Sequence, residues 1–295
     1  MSPRRAPTAL ITGASGQLGR ELQAAAPQRW RVRACDAAAL DVTRPEVVDE
    51  VVLRVRPDLI VNAAAYTAVD AAEREAERAE AVNSAGAAHV AEAAKRAGAR
   101  LIHISTDYVF DGGQSRPYTP ADRPRPLGVY GRTKLAGERE VARISEGAAL
   151  VLRTSWLYSV HGRNFVLTML RLMRERESVG VVADQVGSPT WARGLAGAVW
   201  AAAEAPAVQG VHHWTDAGVA SWYDLAAAVQ EEALALGLLP RAVPIRPLRT
   251  AEYPTDARRP PYSVLERSAP LAELGVPVRH WRDQLRAMLR EVAAA

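Results

Sequence analysis

Tyr130 and Lys134 stand four residues apart in Tyr130-Gly131-Arg132-Thr133-Lys134, within a stretch, Tyr130–Ile144, that reads as helix. At that spacing two side chains share one helix face. An ammonium beside a phenol favours the phenolate, so the spacing predicts a tyrosine with a lowered pKa that exchanges a proton with a carbonyl or alcohol. Lysine is also scarce here. Lys95 and Lys134 are the two lysines among 37 basic residues, and a compact, titratable ammonium is what arginine cannot replace. Upstream, Ser105-Thr106-Asp107 closes an apolar run and places a hydroxyl where ligands bind an open parallel sheet.

A second constellation lies near the N-terminus. Gly13-Ala14-Ser15-Gly16-Gln17-Leu18-Gly19 follows the short run Thr8–Thr12 and opens a helical segment. Glycines there permit a tight turn and let backbone N–H groups approach a pyrophosphate. Asp36 closes the next strand and is placed to accept from an adenosine ribose hydroxyl, which favours NAD. Arg31 and Arg33 offer partners for a 2′-phosphate, and Asp41-Val42 is a second candidate for the adenine end. NADH and NADPH both stay open. The small residues Ala63, Ala64 and Ala65, before Tyr66 and Thr67, suit either close packing or a wall for adenosine.

The elements that must position these groups alternate. Apolar strands at Thr8–Thr12, Arg31–Cys35, Asp58–Asn62, Arg100–Ser105 and Ala149–Thr154 are separated by helical stretches at 46–56, 76–97 and 130–144. Strands without polar alternation, joined by helices, predict an α/β fold: a Rossmann-like, doubly wound parallel sheet. Residues 1–155 form the expected dinucleotide-binding domain, and 156–295 mainly a smaller C-terminal substrate-binding lobe. Elements in about 191–236 are expected to return to the sheet. The Gly- and Pro-rich segment Phe110–Val129 joins Thr106 to Tyr130 without any period. Its length suits a lid over the cleft, with Trp156, just past Ala149–Thr154, at the same edge. Trp191, Trp200, Trp214, Trp222 and Trp281 are expected in the core or at an interface, not as ligand platforms.

Composition excludes several classes. Hydrophobic residues at 48% and charged ones at 24% are those of a globular protein. No apolar run is long enough for a membrane span, and the basic Met1–Pro7 opening has no apolar segment after it. A single cysteine, Cys35, suits a reducing cytoplasm. The net charge of +4 is small, with no basic cluster interleaved with aromatics, so nucleic acid is not an expected partner. The six histidines show no metal-ligand spacing.

The chain resembles the extended short-chain dehydrogenases/reductases and, within them, the dTDP-4-dehydrorhamnose reductase family. The likeness rests on TGASGQLG (Thr12–Gly19), VNAAAYTAVDAAE (Val61–Glu73), STDYVFDG (Ser105–Gly112), VYGRTKLAGE (Val129–Glu138), LRTSWLY (Leu152–Tyr158), DQVGSPT (Asp184–Thr190) and ARRPPYS (Ala257–Ser263). It implies a Thr106/Tyr130/Lys134 triad, with NADPH or NADH against Gly16, Gln17, Leu18, Asp41, Val42 and Ala63–Thr67. Asp107, Tyr108 and Trp156 would lie on the substrate, a dTDP-linked 4-dehydro-6-deoxysugar. It further implies hydride transfer to the sugar C4, with Tyr130 giving the proton, Thr106 bonding the same oxygen and Lys134 gripping the nicotinamide ribose. A monomer or homodimer is expected. One departure stands out: the family's late R-P-x-N-S reads Arg259-Pro260-Pro261-Tyr262-Ser263. Rival readings are a dihydrostreptose-type reductase and a non-catalytic regulatory subunit. A 4,6-dehydratase would call for an acid pair after the threonine, where Tyr108 follows Asp107.

Overall fold

The computed structural model describes residues 5–294. Six parallel strands make the central sheet: β1 (Thr8–Thr12), β2 (Arg31–Cys35), β3 (Leu59–Asn62), β4 (Arg100–Thr106), β5 (Leu150–Thr154) and β6 (Gly210–His213). Their order is β2-β1-β3-β4-β5-β6. The chain reverses direction across the sheet at β1, so a crevice opens between the carboxyl ends of β1 and β3. This is the doubly wound sheet that the alternation of elements predicts.

Both faces are covered because successive side chains in each strand point opposite ways. Leu10 and Ile60 meet α2 (Pro45–Val55), α3 (Gly86–Ala97) and α4 (Val129–Ile144) through Val48, Val51, Val90 and Val141. Ala9, Ile11 and Val61 meet α1 (Gln17–Ala24) through Leu18 and Leu22. The same face also takes α6 (Ala192–Ala203), which follows α5 (Phe165–Glu175), through Leu195, Val199 and Trp200. Of the 191–236 region expected back at the sheet, α6 and β6 pack there. The next helix, α7 (Trp222–Ala235), instead packs with α5, strand Val179–Val182 and the C-terminal α8 (Trp281–Ala294) around Met169, Val229 and Met288.

Two stretches differ from their sequence patterns. The alanine-rich 76–97 stretch predicts one uninterrupted helix, yet Ala81–Ala85 forms a wide π turn before α3. Inside it, Asn83 uses both ends of its amide on Tyr66, accepting from the Tyr66 N–H at 2.8 Å and donating to its carbonyl at 3.1 Å. Its amide nitrogen also donates to Thr133 Oγ1 at 3.1 Å, tying the turn to α4. π turns of this kind concentrate at functional sites.

The segment expected as a lid is instead fastened down. Phe110 and Tyr118 are buried and stacked, with centroids 4.1 Å apart, and the Tyr118 hydroxyl donates to Asp111 at 2.9 Å. Tyr118 N donates to Val264 O, Glu266 N to Tyr118 O, and Arg125 N to Val109 O, each at 2.8 Å. Local composition reads as flexible, but two aromatics and three backbone bonds anchor it to distant residues. Tyr262, the departure from the family motif, packs against this buried cluster.

Close packing of α4 on the π turn depends on Gly137, where a Cβ would run into the Asn83 carbonyl oxygen. Gly137→Ala should therefore lower stability by about 2 kcal/mol, because rigid backbone faces the added methyl. Gly197→Ala, in α6 with its nearest neighbour 3.9 Å away, should be neutral or stabilising by up to about 1 kcal/mol. Denaturant unfolding of the two variants checks both outcomes.

Candidate active site

A cavity of about 790 Å³ runs along the carboxyl edge of the sheet. Its walls include Gly13, Gly16, Gln17, Leu18, Gly19, Asp41, Val42, Ala63, Ala64, Ala65, Tyr66 and Thr67 at one end. Thr106, Asp107, Tyr130, Lys134 and Trp156 lie toward the other. All of these are residues the sequence singles out. Asp36 and Tyr108 do not line it.

The glycine turn is built for close approach. Gly13 has φ +66°, and a Cβ there would fall 2.7 Å from the Ala63 carbonyl oxygen, so the turns after β1 and β3 touch. Gly16 precedes α1 with no side-chain cap and no acid in the first turn. That helix end leaves backbone N–H donors for an anion. The residues present therefore fit a dinucleotide pyrophosphate.

The adenosine end corrects the sequence reading. Asp36 Oδ1 accepts from the Ala38 and Ala39 N–H groups at 3.1 and 3.0 Å, so its carboxylate shapes its own turn outside the cavity. Asp41 reaches the wall but accepts from Thr43 N and Thr43 Oγ1. Arg31 and Arg33 line a separate depression with Arg5 and Thr8, away from the glycine turn. They sit beside Thr8 and Leu10 of β1, short of the carboxyl end of β2 where the cavity opens.

At the opposite end, β4 and α4 bring three groups together from positions 24 and 28 residues apart. Thr106 caps a short turn, accepting from Tyr108 N at 3.2 Å and donating to Asp107 Oδ1 at 3.0 Å. Tyr108 is placed by this turn so that its ring meets Tyr130 edge-on, centroids 5.8 Å apart. It thus braces Tyr130 instead of facing the cavity. The first N–H of α4, on Val129, donates to Glu73 Oε1 at 2.7 Å. Glu73 therefore caps this helix.

Electrostatics at this end follow burial. Desolvation pushes Tyr130 up to about 12, with the Thr106 hydroxyl opposing it. This is the opposite direction from the one the Tyr–Lys spacing predicts, because loss of water dominates and the Asp107 carboxylate adds to it. Burial also brings Lys134 down to about 8, with Glu138 opposing, while its Nζ donates to Ile104 O at 2.6 Å. Asp107 is pushed up to about 7 by burial, against hydrogen bonds from Ser263 and Thr106. A protonated phenol, a buried cation and a hydroxyl converge on one cavity end. The set can donate a proton to a carbonyl oxygen and stabilise charge beside it.

Comparison with known proteins gives the family. The family model "RmlD substrate binding domain" matches residues 8–294. A dTDP-4-dehydrorhamnose reductase of Aggregatibacter actinomycetemcomitans is 41% identical over 284 residues, covering 94% of this chain and 96% of that protein. One from Streptomyces griseus is 43% identical, covering 97% and 94% respectively. The chain belongs to the dTDP-4-dehydrorhamnose reductase family. Among solved structures of the family, the Bacillus anthracis reductase in complex with NADP superposes with a TM-score of 0.91. The two are 36% identical, covering 97% of this chain and 99% of that one.

Several groups of this family site escape sequence reasoning. Arg163 and Asn164 line the cavity, and Asn164 Nδ2 donates to Gln17 Oε1 at 3.0 Å. Ser155 and Trp222 also line it. Behind Lys134, Glu138 is buried in a bidentate pair with Arg153 at 2.9 and 2.6 Å and accepts from Ser105 Oγ. Burial of charge is the signal here, and it exists only in three dimensions. The i, i+4 spacing of Lys134 and Glu138 was its one trace in the sequence.

A lysine whose pKa is about 8 is an ammonium below that pH and an amine above it. Carbonyl-reducing activity should therefore fall as the pH rises through about 8, while Tyr130, at about 12, keeps its proton throughout. Lys134→Arg should abolish that alkaline limb, since a guanidinium stays charged, at a much lower plateau. A pH profile of kcat/KM for both proteins checks the pair of outcomes.

Proposed function

We propose that this protein is an NAD(P)H-dependent oxidoreductase that reduces the C4 keto group of dTDP-4-dehydro-L-rhamnose to give dTDP-L-rhamnose. One observation carries the reading: Thr106, Tyr130 and Lys134 meet at one end of a cavity whose other end is the Gly13–Gly19 anion cradle, in a chain of this reductase family. Residues 1–155, with the returning β6, serve the cofactor in this reading. Most of 156–295 serves the sugar nucleotide. No helix among the described residues is long and apolar enough to cross a membrane, and the lone Cys35 fits work in the cytoplasm.

Gly16, Gln17 and Leu18 would hold the pyrophosphate, Val42 and Ala63–Thr67 the adenosine side, and Tyr130 with Lys134 the nicotinamide ribose. When bound, the cofactor supplies the hydride. Tyr130 Oη carries the proton that goes to the C4 oxygen, and burial keeps that phenol protonated. The Thr106 hydroxyl hydrogen-bonds the same oxygen and so fixes the direction from which the carbonyl presents itself. Lys134, cationic below about pH 8, stabilises the negative charge that develops as the proton leaves. Trp156 packs on the sugar nucleotide, while Asp107, next to Thr106, completes the polar side of the pocket.

The decisive assay supplies dTDP-4-keto-6-deoxyglucose, a 3,5-epimerase and NADPH, and identifies the sugar formed. dTDP-L-rhamnose is expected; a different deoxysugar overturns the stereochemical assignment. Tyr130→Phe should lose at least about 10²-fold in turnover with a far smaller loss of cofactor affinity, because the proton donor is removed while Lys134 still holds the nicotinamide ribose.

Both cofactors should support turnover. With Asp36 and both arginines of β2 outside the cavity, no buried charge is aimed at a ribose 2′-phosphate. Discrimination between NADPH and NADH should stay below about 10³-fold, the equivalent of about 4 kcal/mol. Paired kcat/KM measurements decide this.

A further inference from the structure

Trp222 reads from the sequence as a core or interface residue and not as a ligand platform, yet it stands half-buried on the cavity wall. Its indole lies face to face with that of Trp156, centroids 3.4 Å apart and planes 1° from parallel. Two features of Trp156 are costly. Its backbone adopts φ +46°, in the left-handed region that a bulky side chain avoids. A full face-to-face sandwich is also the least favoured arrangement for two aromatic rings. Such features persist only where the surroundings over-determine them.

The surroundings do so here from three sides. Gly187 lies against the Trp156 ring so closely that a Cβ there would fall 2.5 Å from Cε2. Strand Ala220–Ser221 pairs antiparallel with Val186–Gly187, which delivers Trp222, the next residue, alongside. Trp222 Nε1 donates to Gln185 Oε1 at 3.2 Å, and Gln185 Nε2 donates to Thr250 Oγ1 at 3.1 Å. Phe165, with its centroid 4.7 Å away, backs the Trp222 ring. Trp156 follows β5 of the cofactor sheet, whereas Trp222 begins a helix packed in the second lobe. The stack therefore joins the two halves of the chain at the cavity.

We propose that Trp222 is a positioning residue for the sugar nucleotide: by stacking on Trp156 it holds that indole, against its strained backbone, as a fixed apolar wall on which the sugar nucleotide packs. This rests on the proposed function and extends it to a residue outside the catalytic set. A purely structural Trp222 would alter stability alone. A positioning Trp222 alters substrate affinity without altering the chemical step.

The test uses the full chain and three readouts. Coupled indoles contribute a bisignate exciton band in circular dichroism. Because Trp30 and Trp200 also lie close, with centroids 5.7 Å apart, the readout is the parent-minus-variant difference, expected to be bisignate for both Trp222→Ala and Trp156→Ala. Trp222→Ala should raise KM for the keto sugar about ten-fold, or about 1.4 kcal/mol, with kcat within two-fold and cofactor affinity unchanged. Trp222→Phe, which keeps a flat ring, should recover most of that loss. Calorimetric affinity for dTDP-glucose, a dTDP-sugar with no C4 keto group to reduce, should fall in parallel. Parent inactivity on the keto sugar would overturn the proposed function, and the dTDP-glucose affinities would still read the wall. An unchanged sugar affinity in Trp222→Ala, a loss confined to kcat, or the absence of a bisignate difference between the parent and both variants would overturn this inference alone.

Discussion

Lys134 is an ammonium with 2% of its surface exposed, and the need to hold that charge out of water governs much of its neighbourhood. Removing an unpaired cation from water costs several kcal/mol. The Ile104 carbonyl offsets part of this at 2.6 Å, and Glu138, one helical turn on, supplies the opposite charge. Glu138 is itself buried and pairs with Arg153 on β5 while accepting from Ser105 on β4. The helix that carries Tyr130 is therefore bound to both strands beneath it by charge as well as by packing. Arg153 continues the network to His213 of β6, whose Nδ1 lies 3.0 Å from the Tyr118 carbonyl. That carbonyl belongs to the segment fastened at Phe110 and Tyr118. Its anchoring and the placement of the cation are thus parts of one network.

Close backbone contact is the second requirement. Gly131 leaves room for the Tyr108 carbonyl and Gly137 for that of Asn83. Both glycines lie on α4, flanking Lys134 at three residues' distance on either side. Without those clearances α4 would stand off from β4, and Tyr130 would part from Thr106. Gly13 performs the same service between the turns after β1 and β3. The cavity is shaped by where side chains are missing as much as by where they are present.

The two halves of the chain meet along the cavity through polar contacts as well as the tryptophan stack. Ser159 Oγ donates to the fully buried Glu21 at 2.9 Å, and Arg193 reaches the same carboxylate at 3.1 Å. Asn164 caps α5, accepting from Leu167 N, while its amide nitrogen reaches Gln17 at the start of α1. The first turn of α1 is thus braced by residues from the far side of Trp156. This ties the glycine turn to the second half of the chain.

Local pattern alone determined the strands, the glycine turn and the Tyr130/Lys134 pair. Each is a statement about neighbours within a few residues, and side-chain periodicity and glycine's freedom act over that range. Thr106 belongs with them, because a hydroxyl at a strand's carboxyl end needs only the strand to be placed. What tertiary structure decided depends on distant groups. Asp36 and Asp41 look alike in sequence, and only the course of the turn after β2 brings one to the cavity and leaves the other to cap its own backbone. The Tyr130 phenol rises instead of falling because desolvation depends on everything packed around it, while the spacing reports a single neighbour. The wide turn at Ala81–Ala85 arises from an asparagine that bonds across to Tyr66 and Thr133. Trp222 meets Trp156 across 66 positions of chain through a two-residue strand pair. No periodicity encodes such a meeting; it follows from where the backbone brings two segments together.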